Sequence, residues 1–422
     1  IIHTPNISFS MIMKNSFANY RTDETNPRWN ELIARCDSLY KSTGDIRSEF
    51  SRDYTRVLHS YAFRRLKHKT QVFFNGAGND HVCTRMEHVL HVGSVASTIA
   101  SYLGLNIELV QAIAMAHDLG HAPFGHHGEA ILSEIRGNAL GSFWHERNGL
   151  YFTDNIELLQ NHQGEWQNLN LTYAVRDGII SHCGEVDKNN LKPRTELIDL
   201  YTFKEPGQYE ASTWEGCVVK LADKIAYIGR DIEDADALGY FGDEERKTLQ
   251  NLSIKCMKNE TINTTTIIHN MIINLCENSS PEKGLCFSKD VHENLKAIKD
   301  FNYQHIYNNK RLNAYKDYAE LVIVEIRETL LDLYQGEDTI QYLAKRNNKR
   351  FINYFKSWLA QYCKPSIVPK KLADELNIKM YKNKKIYNTL ADKHEYEQAI
   401  SDFIAGMTDV FAIESFEELL RC

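Results

Sequence analysis

Between residues 114 and 129 the chain reads AMAHDLGHAPFGHHGE, which gathers four of its 17 histidines and two carboxylates into a few turns of backbone. His117 and Asp118 are adjacent. Neighbours on a helix diverge by about 100°, so near a helix end both can reach one ion held beside it. Imidazole with carboxylate suits borderline or hard divalent ions, Mn, Mg, Fe or Zn, and without a nearby thiolate set a structural zinc site is not indicated. Further ligands must come from elsewhere. His88 lies on the polar stripe of the preceding helical stretch, and Asp223, in KLADKIAY, on the polar side of a strongly apolar later one. A set of His88, His117, Asp118 and Asp223 leaves positions open for water and substrate, as catalysis requires. His121, one turn past His117, ends the helix and faces incoming ligand. His126, with Glu129 three residues on, suits a general acid or base held by a carboxylate. A lone histidine on a helix is more often structural than functional, and His127 and His91 are read that way.

What the site would act on is suggested by residues 47–69, RSEFSRDYTRVLHSYAFRRLKHK. They carry seven Lys or Arg against two acids, a local +5 in a chain whose net charge is -7. A solvated basic face is the ordinary reading of such a run. Here Arg47, Arg52 and Arg56 interleave with Phe50, Tyr54, Tyr61 and Phe63, and arginine suits fixed recognition of phosphate oxygens. Several phosphates plus a base would satisfy both residue types. Tyr227 and Asp231 fall four and eight residues after Asp223, on the same helical stripe, where they can meet a sugar hydroxyl. Lys224 can reach a phosphate.

The elements that position these residues read as helices. Residues 84–103 place Met86, Val89, Val92, Ala96, Ile99 and Leu103 at helical spacing, with Gly104 as a stop. Asn106 caps the next helix, and Pro123 forbids its extension far past Gly120 or His121. GEAILSEIR then restarts a helix. Firm helical spacing returns in WEGCVVKLADKIAYIGRDIEDADAL and at about 311–335, 340–362 and 395–420. Residues 69–83, around TQVFFNGAGND, mix β-formers with Gly and Asn and predict a small β-hairpin. Residues 186–213, with Pro193 and Pro206, predict a long loop or lid, and 245–310 is weakly patterned. The fold class is therefore all-α with one small hairpin.

Composition narrows the class further. At 422 residues and 43% hydrophobic, the chain can bury a substantial core. Its acidic balance excludes a basic coat for nucleic acid or membrane as the overall character. Nine scattered cysteines without a Cys-x-x-Cys pair argue for a reduced, cytoplasmic setting rather than a disulfide framework. No apolar run approaches the ~18 residues that span a bilayer, and the opening residues predict no export signal; Met11 or Met13 is the expected native start.

Taken together the blocks RSEFSRDYTRVLHSYAFRRLKHKTQVF, TRMEHVLHV, HDLGHAPFGHHGE, LNLTYAVRDGIISHCGE, KLADKIAYIGRDIED and DFIAGMTDVFA resemble, in order, the HD-domain deoxynucleoside triphosphate triphosphohydrolases, bacterial deoxyguanosine triphosphatase type. The resemblance implies a helical fold: an N-terminal extension over 1–44, an HD-domain catalytic core over 45–245, and a helical C-terminal region over 246–422 packed on that core as one continuous domain. It implies metal-dependent hydrolysis of dGTP, or other dNTPs, to deoxynucleoside and inorganic triphosphate by water attack at the α-phosphate. The metal would sit on His88, His117, Asp118 and Asp223. His126, supported by Glu129 and with His121 nearby, would be catalytic, and His145 joins them as a site residue. Arg85 and Lys224 would contact phosphates, and Gln71, Tyr227 and Asp231 the deoxyribose. Arg52, Arg64 and Arg65 belong to the matching basic block. The block FWHERNGLYF departs from many bacterial members, because His145-Glu146 is closer to the animal dNTP hydrolases. Implied partners are the dNTP, dGTP favoured, an allosteric nucleotide or single-stranded DNA, and further copies of the chain, up to a hexamer. The competing readings are an HD phosphohydrolase acting on another nucleotide and a regulatory protein that binds nucleotide or single-stranded DNA without turnover.

Overall fold

A computed structural model describes residues 15–39, 41–73, 82–183, 188–257, 264–346 and 349–421. A short helix α1 (Trp29–Leu32) precedes α2 (Glu49–His59) and α3 (Tyr61–Arg65), which carry the basic block. The segments carrying the clustered histidines are α4 (Arg85–Leu103), α5 (Ile107–Ala116), α6 (Gly125–Leu140) and α7 (His145–Tyr151). After β1 (Leu158–Gln160) and β2 (Trp166–Asn168) come α8 (Tyr173–Ser181) and the long α9 (Trp214–Ala237). The weakly patterned region holds α10 (Asp243–Met257), α11 (Thr264–Asn278) and α12 (Lys289–Asn302), followed by a π-helical turn at Tyr303–Tyr307. The chain ends with α13 (Asn313–Leu331), α14 (Thr339–Ala344), α15 (Arg350–Tyr362), α16 (Lys370–Glu375), α17 (Lys393–Ala405) and α18 (Asp409–Leu420).

Local chemistry explains the bounds of the helices that hold the site. At the start of α4, Thr84 and Glu87 form a reciprocal capping box, and Gly104 ends the helix in the left-handed region at φ 83°. Asn106 then accepts from the amides of Glu108 and Leu109. Beyond Ala116 the chain turns through Pro123 to Phe124, which adopts φ 64°, and Gly125 opens α6. α6 thus begins three residues before the expected GEAILSEIR, so that His126 and Glu129 share one helix.

The observed two-stranded ladder lies outside the span of the expected hairpin. Leu158–Gln160 pairs antiparallel with Trp166–Asn168, whereas 74–81, most of the predicted hairpin, lie outside the described residues. The flanks of that segment meet in a single antiparallel bridge, Thr70 with Thr84. Strands of three residues carry too little alternation to be read in sequence, and the turn between them rests on Asn161, whose side chain accepts from the amides of Gln163 and Glu165. Two expected helices are each divided. The 340–362 pattern breaks into α14 and α15, and 395–420 into α17 and α18 at Gly406, where Thr408 caps the amide of Phe411. The 186–213 loop, described from 188, is tethered: Arg194 pairs with Asp177, Ser212 N donates to Asp177 at 2.6 Å, and Leu191 bridges Leu285.

Two apolar cores flank the site. In the first, Val89, Val92 and Ile99 of α4 pack with Val110 and Ile113 of α5 and Val218, Ile225 and Ile228 of α9. The second is built from α13 to α18 together with Ala122, Phe124 and Leu132 of the turn and α6. Burial of each large side chain contributes about 1.5–3 kcal/mol, so α4, α5 and α9 are fixed by their apolar faces while their polar faces meet. Gly120 is required for a close approach: a Cβ there would lie 2.1 Å from both the Gly149 amide nitrogen and the His145 carbonyl oxygen. Gly120→Ala is therefore expected to push α7 from the HD loop, cost about 1–3 kcal/mol or more, and lower the midpoint of thermal unfolding. An unchanged midpoint would show that the two segments can part without loss.

Candidate active site

His88 from α4, His117 and Asp118 just past α5, and Asp223 from α9 converge. His88 Nε2 lies 2.9 Å from Asp223 Oδ1 and 3.9 Å from Asp118 Oδ2. His117 Nε2 faces Asp118 Oδ1 at 3.4 Å and Asp223 Oδ1 at 3.8 Å. Its other nitrogen, Nδ1, donates to the Ala114 carbonyl at 2.7 Å, which leaves the Nε2 lone pair directed at the two carboxylates. That Nε2 is buried and makes no hydrogen bond within the protein. An imidazole tautomer fixed by a backbone carbonyl, with an unsatisfied nitrogen aimed at two carboxylates, is the arrangement of a metal ligand. The ligand spacings suit an ion with bonds of about 2.0–2.2 Å, and two imidazoles with two carboxylates suit a divalent cation. The residues present therefore fit the expected ion.

Charge is concentrated on Asp118, which is 3% exposed. Burial pushes its carboxyl up, yet His117, His121 and Arg85 together outweigh that and hold it well below the usual carboxylate range. Arg85 Nη1 donates to Asp118 Oδ2 at 2.9 Å and His121 Nε2 lies 3.1 Å from Asp118 Oδ1. For His121, burial and then the neighbouring Arg85 and His145 charges depress the imidazole well below its usual value.

Beside this quartet stands a second group. Glu129 Oε2 lies 3.3 Å from His126 Nδ1 and 3.1 Å from His145 Nδ1, and the His145 amide donates to Glu129 Oε1 at 3.0 Å. The His145 ring stacks on His121 with centroids 3.8 Å apart. Burial opposes charge on His145, but Glu146 and Glu129 prevail and raise it to about 10. His126 is exposed, unlike its partners, and lines the cleft.

The cleft encloses about 260 Å³ and is lined by Gln71, Arg85, His126, Tyr227, Asp231 and Tyr307, among others. Tyr307 donates to Asp231 Oδ2 at 2.6 Å, and burial pushes Asp231 up to about 7. Gln71 Oε1 is buried without a hydrogen-bond partner. Four of the sequence candidates are placed elsewhere. Arg52 bridges Asp45 at 2.8 Å, Arg64 lies over the Tyr61 ring, and Arg65 pairs with Glu157, none of them lining the cleft. Lys224, next to Asp223, is buried on α9 and does not line it either. His127, read as structural, does line it.

Sequence reasoning left several lining residues unassigned. His182, in the quoted block ending SHCGE, meets His117 edge to face at 4.9 Å and lies near His145 at 5.3 Å; its presence beside Cys183 in that block was the available signal. Glu146, 2% exposed, and Cys183 line the same wall. Tyr303 and Tyr307 come from the weakly patterned stretch, where the π turn that aims them leaves no periodic trace.

The turns bearing the site are held from the C-terminal end of the chain. Asp409, at the start of α18, accepts the Phe124 amide at 2.9 Å through Oδ1 and the Thr70 amide at 2.9 Å through Oδ2. Lys69, 3% exposed, donates to the carbonyls of His121 and Ala405.

Comparison with known proteins meets this geometry. The HD domain family profile matches residues 85–228, a span that contains all four of the converging residues. The deoxyguanosinetriphosphate triphosphohydrolase-like protein of Caldanaerobacter subterraneus subsp. tengcongensis is 30% identical over 388 residues, 89% of this chain and 86% of that protein. A protein of the same description from Rickettsia felis is 31% identical over 404 residues, 90% of this chain and 94% of its own. One from Clostridium tetani is 29% identical over 385 residues, 90% and 88%. This chain belongs to the HD-domain deoxynucleoside triphosphate triphosphohydrolase family. In this family member the HD match ends before α10, so both the Asp409 clamp and the tyrosines of the π turn come from outside it. Asp409→Ala leaves two inward amides without an acceptor, each costing about 1–3 kcal/mol. The variant is expected to melt earlier and to show faster amide exchange at residues 121–125 and 69–72; unchanged exchange there would remove the clamp.

Proposed function

We propose that this chain hydrolyses deoxynucleoside triphosphates, dGTP foremost, to deoxynucleoside and inorganic triphosphate by water attack at the α-phosphate, and that it does so in the cytoplasm. The observation that carries the reading is the 3.1 Å contact between His121 and Asp118, which joins a metal-ligand quartet directly to a cluster of proton-handling side chains. The names borne by the relatives from Caldanaerobacter, Rickettsia and Clostridium support the substrate class and the preference for dGTP. Among the described residues no helix is long and apolar enough to cross a membrane, and no disulfide is formed.

His88, His117, Asp118 and Asp223 would hold the ion. Bound there, a divalent metal polarises a phosphoryl oxygen and acidifies water. The protein's own groups do the rest. Water adds to the α-phosphorus in line, the bond to the 5′-oxygen breaks, and that oxygen must take up a proton because an alkoxide is a poor leaving group. His126 is placed to deliver it: Glu129 grips Nδ1 and so leaves the opposite nitrogen for the substrate. Such proton delivery contributes roughly 10²- to 10⁴-fold. His145, raised to about 10, remains a cation at neutral pH and keeps Glu129 ionised and oriented. Arg85, 1% exposed and anchored on Asp118, sets a fixed positive charge at the cleft wall for the triphosphate.

The reaction is tested by supplying metal-loaded protein with each dNTP, singly and in mixtures. Inorganic triphosphate is the expected product, and release of pyrophosphate or single phosphate would overturn the reading. His126→Ala should retain metal and nucleotide binding and lose turnover by roughly 10²- to 10⁴-fold.

Asp231 adds a pH dependence. Its carboxyl is pushed up to about 7 by burial, so it is protonated below that pH and becomes a full acceptor for a sugar hydroxyl above it. KM for the nucleotide should therefore fall as pH rises through about 7, and Asp231→Asn should flatten that limb. A wild-type KM that stays level from pH 6 to 8, on the order of one unit either side of neutrality, would separate Asp231 from sugar binding.

A further inference from the structure

The proton-handling cluster has a second capacity that hydrolysis does not use. His121, His126, Glu129 and His145 each offer one ligand atom, and all four atoms lie within 4.8 Å of one another. Glu129 Oε2 stands 3.3 Å from His126 Nδ1 and 3.1 Å from His145 Nδ1. Neighbouring ligands of a tetrahedral ion with bonds of about 2.0–2.1 Å are spaced in just this range. His121 supplies the independent sign that a ligand belongs here. Its Nε2 is engaged by Asp118, while Nδ1 is buried and makes no hydrogen bond within the protein; the residue is 2% exposed. One nitrogen of His121 thus serves the quartet and the other is left over.

The two neighbouring sites differ in donor chemistry. His88, His117, Asp118 and Asp223 give two imidazoles and two carboxylates, a set for harder ions such as Mn or Mg. Three imidazoles and one carboxylate form a softer, more nitrogen-rich set that favours zinc and its neighbours. We propose that His121, His126, Glu129 and His145 form a second, inhibitory site for a borderline transition metal, zinc above all, separate from the HD quartet. Binding displaces to solvent the protons held between Glu129 and the two imidazoles. It also occupies the nitrogen by which Glu129 orients His126, so the group that protonates the leaving oxygen is taken out of use. His126 is the gate, because its ring is exposed at the cleft mouth while the other three ligands are already packed around the site.

The metal site itself rests on geometry, and only its inhibitory consequence rests on the hydrolytic reading. The test loads the full-length protein with one equivalent of Mn²⁺ and titrates it with Zn²⁺, counting both metals per chain by mass spectrometry after desalting. The total is expected to rise to two ions per chain, where simple displacement of Mn would leave one. Co²⁺ in place of Zn²⁺ should give the intense visible absorption of a tetrahedral centre. Glu129→Gln and His126→Ala should each weaken the second ion by at least roughly tenfold, whereas His127→Ala should bind it as the wild type does. Asp223→Ala should lose Mn and keep zinc, which separates the two sites even if one variant folds poorly. A total of one ion per chain in the wild type, or a second ion undisturbed in both Glu129→Gln and His126→Ala, overturns the site. Should triphosphate release continue unslowed with both positions filled, the site stands and the inhibition falls; should no triphosphate be released at all, the hydrolytic reading falls and the metal count still decides the site.

Discussion

A carboxylate at 3% exposure dominates this molecule. Taking the Asp118 charge out of water costs several kcal/mol, and the cost is recovered only if positive or hydrogen-bonding groups meet it from fixed directions. They do so from two elements: Arg85 and, at 3.9 Å, His88 from α4, and His117 and His121 from the turn past α5. No single helix can supply that shell. The apolar faces of α4, α5 and α9 pack on one another, and the polar remainder of all three is thereby enclosed. Burial of this kind favours conformational definition more than net stability, which is what a site that must hold atoms to within a fraction of an ångström requires.

The same constraint explains why the chain returns to this place from so far away. The turn after Asp118 contains Pro123 and a non-glycine residue, Phe124, in the left-handed region, a conformation that costs of order 1–3 kcal/mol unless its surroundings impose it. Asp409 imposes it by accepting the Phe124 amide, and joins it to the Thr70 amide beside Gln71. Lys69 reinforces the bridge from beneath. Burial, with Arg65 next, pushes its ammonium down to about 7, so it rests in the structure by donating to two backbone carbonyls rather than through a close carboxylate pair. The C-terminal helices are therefore part of the site's rigidity, although no side chain of α17 or α18 lines the cleft.

How much of this was legible in sequence follows from what each feature requires. The convergence of His88, His117, Asp118 and Asp223 was legible because adjacency at His117-Asp118, together with helical registers on either side, limits which side chains can meet them. His126 with Glu129 was legible because three residues on a helix is one turn. The Leu158–Gln160 ladder with Trp166–Asn168 was not foreseen because three-residue strands have no usable period. The basic block shows what a tally over 47–69 omits: Arg52 pairs with Asp45, just before the block, and Arg65 with Glu157, far along the chain. Tyr307 was missed because its aim depends on a π turn after α12, and its partner Asp231 lies 76 residues earlier.

The histidines of the cleft complete the argument, because identical side chains are driven to different charge states over a few ångströms. His145 is raised to about 10 by Glu146 and Glu129 against its burial. His182, 5.3 Å away, is depressed to about 3 by burial and then by His117 and His145, and His121, stacked on His145, is likewise depressed. Two stacked imidazoles cannot both carry a proton at 3.8 Å without large repulsion, so the charge settles on the member that holds the carboxylates. The neutral members keep free lone pairs, and lone pairs are what a metal needs. Environments that separate the titration of like groups assign their roles: here the charged His145 fixes Glu129 and must release its proton before it can ligate, whereas neutral His121 has a buried Nδ1 without a hydrogen bond. The crowding of histidines is thus a division between a proton store and a set of donors, and both depend on the one buried carboxylate that draws them together.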